Sequence, residues 1–246
     1  MKNNLLSSKK NSSYTSKSPS SSATTASKHS SRPLIWTVYG LTLAFLLFTL
    51  LVNKVTGYSI AVMVRDPVYV LDGHPIIGMQ SNIGVLAWFA GASIGLFCAA
   101  LLHNNAKTHP AAENPTRQHH EAASFLWRFG LITLWLALDD LFLIHEYLSE
   151  GVLGISELPI YLVYAIVVAW QVVRFRKYIL RSQALPLLLG AIAFFALSIL
   201  SDLLLTGWDQ FGRIFFEDGF KLLGIVSWSS YLIQKGFSAL RLRYER

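Results

Sequence analysis

Six apolar runs dominate this chain, at residues 34–52, 83–102, 123–147, 155–173, 184–206 and 215–235. Each approaches or exceeds the roughly 20 residues that cross the hydrocarbon core of a bilayer. In that medium a backbone N–H or C=O finds no water, so each run must satisfy its own polar groups as a helix. The expected fold is all-α, an integral membrane bundle of six transmembrane helices. Composition agrees. Hydrophobic residues make up 53% of the 246 and charged residues only 14%, against about a quarter charged in soluble domains. The net charge of +7 alone would suit a nucleic-acid partner. The placement of the basic residues accounts for it better, so the lipid bilayer is the expected partner and nucleic acid is not.

With the N-terminus in the cytosol, all but four of the 21 basic residues fall on the inner side; the exceptions are Lys54, Arg65, Arg213 and Lys221. Membrane insertion holds basic loops on that side. Both termini are therefore expected to be cytoplasmic, in a bacterial inner membrane. Residues 1–33 hold twelve serines and six basic residues with no acid. Such a segment cannot bury enough surface to order itself, and it is expected to be a disordered cytosolic tail. A transit peptide has a similar composition and would place the chain in an organelle membrane instead. The membrane domain is expected at 34–240, with a basic cytosolic C-terminus at 241–246. The single cysteine, Cys98, excludes an internal disulfide and is expected to be a small packing residue.

Three other stretches carry expectations. Gly91 and Gly95 form a small-residue face that lets another helix approach closely. The connection 54–82 is rich in Pro and Gly, which argues for turns rather than regular structure. His119 and His120 fall in the inner connection, 104–122, with no further metal ligand at a fixed spacing.

The acids run against the basic bias. Of 14, only Glu113, Glu121 and Glu245 lie on the inner side, and insertion does not explain that skew. Leu138-Asp139-Asp140 through His145-Glu146 puts three carboxylates and a histidine into an apolar run. At 1.5 Å per residue, Asp139 lies roughly 24 Å into its helix, in the outer part of the membrane. The fifth run brings Asp202 to the same depth, and the sixth opens with Glu217, Asp218 and Lys221. Ionisable groups at such depth mark sites or pathways by default. Six carboxylates cannot all stay charged there without shared protons or a cation. A divalent metal ion held by Asp139, Glu146, Asp202, Glu217 and Asp218 would answer the imbalance, with Mn, Fe, Zn or Ca better suited than copper. On a straight helix Asp139, Glu146 and Glu150 share a face, while His145 points roughly 120° away. All four groups of the stretch can then meet one ion only if the helix ends or bends.

The acidic pair with its His-Glu resembles uncharacterised bacterial polytopic membrane proteins. In these a later helix opens with an acidic pair and runs to Leu-Gly, here Glu217-Asp218-Gly219-Phe220-Lys221-Leu222-Leu223-Gly224. That resemblance implies no activity. Seven-helix membrane hydrolases, alkaline ceramidases among them, also gather Ser, Asp and His around a zinc at one membrane face. This chain departs from them, with six helices and no His-x-x-x-His in the last. Three readings stay open: a metal-dependent membrane-embedded enzyme, a small transporter or proton-linked carrier, and a structural or partner-binding membrane subunit.

Overall fold

The computed structural model describes residues 32–65, 67–74, 76–106, 113–204 and 210–244. The tail expected to be disordered lies, up to residue 31, outside the described residues. Every regular element among them is helical. The chain divides into two units, Met1–Asp72 and Gly73–Arg246.

The first unit contributes α1 (Arg32–Thr56), α2 (Ile60–Val64) and α3 (Pro67–Val70). The two short helices correct the expectation of turns alone across 54–82. Ser59 caps α2 by accepting the Ala61 N–H at 3.2 Å, which satisfies a donor that the helix start leaves free. Pro67, with its φ already set, suits the first position of α3.

The second unit runs α4 (Met79–Ala106), α5 (Glu113–Phe142), α6 (Ile144–Glu146), a π-helical stretch (Tyr147–Leu153), α7 (Leu158–Arg174), α8 (Arg176–Leu180), α9 (Leu185–Leu204) and α10 (Gln210–Tyr244). The start of α5 corrects the inner connection: His119 and His120 lie on the helix, not in a loop. α4 packs along α5, and α10 packs against α9, α4 and α5. The buried side of α5 carries Phe125, Leu126, Phe129, Thr133, Ala137 and Asp140, a stripe at helical spacing. It faces Trp228 and Tyr231 of α10, with Phe129 stacked on Trp228 at 5.7 Å. One polar tie crosses this apolar core. The Trp228 indole donates to Thr133 Oγ1 at 2.8 Å, and Thr133 donates to the Phe129 carbonyl at 2.7 Å.

Gly91 and Gly95 set the spacing of α4 and α10. A Cβ on Gly91 would lie 2.9 Å from the Ser229 Cβ, and one on Gly95 would lie 2.9 Å from Leu232 Cδ2. Cys98 is buried in the same interface, beside Gly236.

Two helices among the described residues, Met79–His103 and Leu185–Leu204, are long and apolar enough to cross a membrane. Thr42–Thr56 and Leu158–Arg174 are apolar but shorter. By length and composition alone this is weak support for a membrane location. The most apolar window of Leu185–Leu204 is only 22% buried, however. Leu86, Phe97, Trp135 and Phe237 also stand exposed on the other long helices of this unit.

Candidate metal site

α5 stops at Phe142 because Leu143 turns into the left-handed region, at φ 51° and ψ 41°. A residue with a side chain pays about 1–2 kcal/mol for that conformation. The surroundings supply an offset. Asp139, one turn back, accepts the backbone N–H of His145 at 2.9 Å on Oδ1, and its Oδ2 lies 2.8 Å from the His145 Nδ1. The Tyr164 hydroxyl, from α7, donates to Oδ1 at 3.0 Å. The break corrects the straight-helix expectation that His145 points away from Asp139. It folds the histidine back onto the aspartate six residues earlier, and both are buried.

Beyond the break the chain continues as α6 and then as a π-helical stretch ended by Gly154 at φ 63°. Such stretches are frequent at functional sites. Ser149 is fully buried and donates to the carbonyls of His145 at 2.7 Å and Glu146 at 3.2 Å. The backbone under the histidine is therefore held on two sides.

An ionised carboxylate only accepts, so Nδ1 of His145 carries the proton it gives to Asp139. In the neutral ring this leaves a lone pair on Nε2. That nitrogen faces Glu146 Oε1 at 3.9 Å and Glu157 Oε2 at 3.8 Å. Both separations are too long for hydrogen bonds. They approach the spacing of two donors on one ion: ligand atoms about 2.0–2.2 Å from a tetrahedral ion stand about 3.3–3.6 Å apart. The donor atoms of His145, Glu146 and Glu157 all lie within 4.8 Å of one another. Tyr161 completes the wall. Its ring packs against His145 at 5.3 Å, and its hydroxyl donates to Glu157.

The remaining expected residues are divided between two ion pairs and an acidic pair. Asp140 is buried and accepts from Lys221 Nζ at 2.7 Å, which links α5 to α10. Asp202 of α9 pairs with Arg213 of α10 at 3.3 Å, and both are exposed. Glu217 lies in the field of Asp202 and Asp218 on the acidic side, and of Arg213 and Lys221 on the basic side. Of the five ligands expected from sequence, Glu146 alone falls in the group with metal-ligand spacing. Asp139 has both oxygens engaged, Oδ1 by the His145 amide and the Tyr164 hydroxyl and Oδ2 by His145 Nδ1.

Glu157, Tyr161 and Tyr164 were not among the expected site residues. A signal was present: Glu157, Tyr161 and Tyr164 are spaced i, i+4, i+7, one face of a helix whose first turn holds Pro159.

Residues 36–235 match the family model described as "Domain of unknown function (DUF8692)", and the chain belongs to that family. No curated protein and no solved structure matches it.

Proposed function

We propose that this family member is a six-span integral membrane protein with both termini in the cytosol, and that the break after α5 forms a divalent-metal site of a membrane-embedded enzyme at the outer face. Three considerations support the membrane part. Each of the six apolar runs overlaps one of the six long helices, α1, α4, α5, α7, α9 and α10. α9 is almost wholly apolar yet mostly unburied, the reverse of a core helix in a soluble protein. Exposed apolar surface on that scale needs a cover, and a bilayer supplies it for every helix at once.

The metal reading is carried by one observation. His145 is buried, its Nδ1 is held by Asp139, and its Nε2 makes no hydrogen bond among the described residues and faces two carboxylates. A carboxylate behind a histidine is the usual support of a metal-binding imidazole, since it fixes the tautomer and raises ligand basicity. A nitrogen with two carboxylate oxygens suits zinc or manganese better than calcium, which takes oxygen alone. Three protein donors leave one position open, as in catalytic rather than structural sites. A bound ion would act there as a Lewis acid that lowers the pKa of a water. The carrier reading has less behind it, because Asp140 and Asp202 are neutralised by Lys221 and Arg213 rather than lined up as a relay.

The test uses the full chain. It should stay with membranes through an alkaline carbonate wash and need detergent for release. Equilibrium dialysis of the purified protein against zinc or manganese should find one bound ion per chain. Glu157→Gln and His145→Ala should each lose it with the fold retained. Release by carbonate would overturn the membrane part, and wild-type protein that binds neither ion would overturn the metal part.

A further inference from the structure

The end of α7 distant from the metal site carries a second arrangement of charge. α7 stops at Arg174, Phe175 leaves helical geometry at φ −100° and ψ 15°, and α8 restarts at Arg176. Buried Phe175 and Ile179 pin the joint to the bundle, with Phe175 edge-on to Phe125 at 5.4 Å. On an unbroken helix Arg174 and Lys177 would share a face, while Arg176 would point about 160° from Arg174. Beside the break all three line one groove of about 510 Å³, together with Trp170, Val173 and Glu121 of α5.

Three cations and one carboxylate line this groove. Arg174 lies 5.8 Å over the Phe175 ring. Arg176 and Lys177 make no ion pair or hydrogen bond among the described residues. The apolar lining does not end at the groove. Leu162, Ile166, Trp170 and Val173 are all more than half exposed and recur along one face of α7. Charge concentrated at the end of an apolar track matches an amphiphile, with an anionic head in the groove and acyl chains along α7. A free phosphate would use the cations and leave the track bare.

We infer that the groove between the start of α5 and the α7–α8 joint binds the headgroup of an anionic phospholipid of the cytosolic leaflet. The inference rests on the six-span orientation proposed above. Basic pockets between membrane helices on the cytosolic side bind such headgroups. A cation near the membrane surface contributes about a fivefold preference. Three cations offset by Glu121 then give a preference of roughly tenfold to thirtyfold for an anionic over a zwitterionic lipid.

The experiment reconstitutes the detergent-purified full chain with equal dioleoylphosphatidylglycerol and dioleoylphosphatidylcholine, and counts retained lipids by native mass spectrometry. Phosphatidylglycerol should be retained in about tenfold or greater excess. Arg174→Gln, Arg176→Gln and Lys177→Gln together should abolish the excess, and Glu121→Gln should increase it. Inorganic phosphate at millimolar concentration should not displace the lipid. Equal retention of the two lipids would overturn the inference. So would a triple variant that keeps the preference, or displacement by phosphate, which would mark a small-anion site. Glu121→Gln keeps the test decisive if the triple variant fails to fold. Wild type recovered without detergent would instead sink the membrane reading on which this rests.

Discussion

Replacing Asp139 with Asn keeps the shape of the side chain and removes its charge, and the consequences can be followed atom by atom. Asp139 now accepts from the His145 amide, the His145 Nδ1 and the Tyr164 hydroxyl. In Asp139→Asn the oxygen can keep the first and third partners, and the new amide nitrogen then faces Nδ1. That nitrogen donates, so Nδ1 must accept and the ring proton moves to Nε2. A protonated Nε2 offers no lone pair between Glu146 and Glu157. If the amide flips instead, its donors meet the His145 N–H, and an unsatisfied buried group costs about 1–3 kcal/mol. Either route weakens the ion. Loss of such a supporting carboxylate typically lowers metal affinity 10–100-fold, or about 1.4–2.8 kcal/mol. Competition with a chromogenic chelator on detergent-purified wild type and variant would read the zinc Kd. The expected result is a rise of 10–100-fold with the unfolding midpoint shifted by no more than several degrees. An unchanged Kd in a folded variant would refute the tautomer argument and, with it, the supporting role of Asp139.

Two further predictions concern the frame around the site. Gly91→Ala places a methyl 2.9 Å from the Ser229 side chain and 3.0 Å from its backbone, so overpacking should destabilise by about 1–3 kcal/mol. Gly219→Ala has nothing within 4 Å and should stabilise α10 by about 0.5–1 kcal/mol; thermal unfolding should show shifts of opposite sign. Lys221→Met leaves the Asp140 charge buried and unpaired. Removal of one partner from a fully buried pair costs about 3–5 kcal/mol, and the partial exposure of Lys221 reduces this to roughly 2–3. Adding Asp140→Asn should recover most of the loss, which a chemical-denaturation cycle on the single and double variants would measure.

Much of the architecture was legible because apolar runs and helices share a cause. Each run had to be helical whatever covered it, and each corresponds to a long helix within several residues at most ends. The larger misses are polar. α5 begins at Glu113 because its first turns run through Asn, Gln and His, which carry no apolar period. Ser59 and Pro67 start short helices in a stretch whose Pro and Gly signalled turns. The site was half legible. Buried Asp139, Asp140 and His145 stood out as charge in an apolar run, but their partners did not follow from helical spacing. Leu143 has none of the marks of a left-handed residue, which are Gly, Asn or Asp, so the break that joins His145 to Asp139 had no sequence signal. Glu157 is brought beside His145 by the turn after Gly154, a contact invisible to any single-helix projection.

X-ray absorption spectroscopy at the zinc edge of the loaded full-length protein addresses the metal assignment most directly. The account predicts a four-coordinate shell with one imidazole nitrogen at about 2.0–2.1 Å and the remaining scatterers oxygen at about 2.0–2.2 Å, and loss of the imidazole signature in His145→Ala. A shell of oxygen alone in the wild type, unchanged by that substitution, would contradict it.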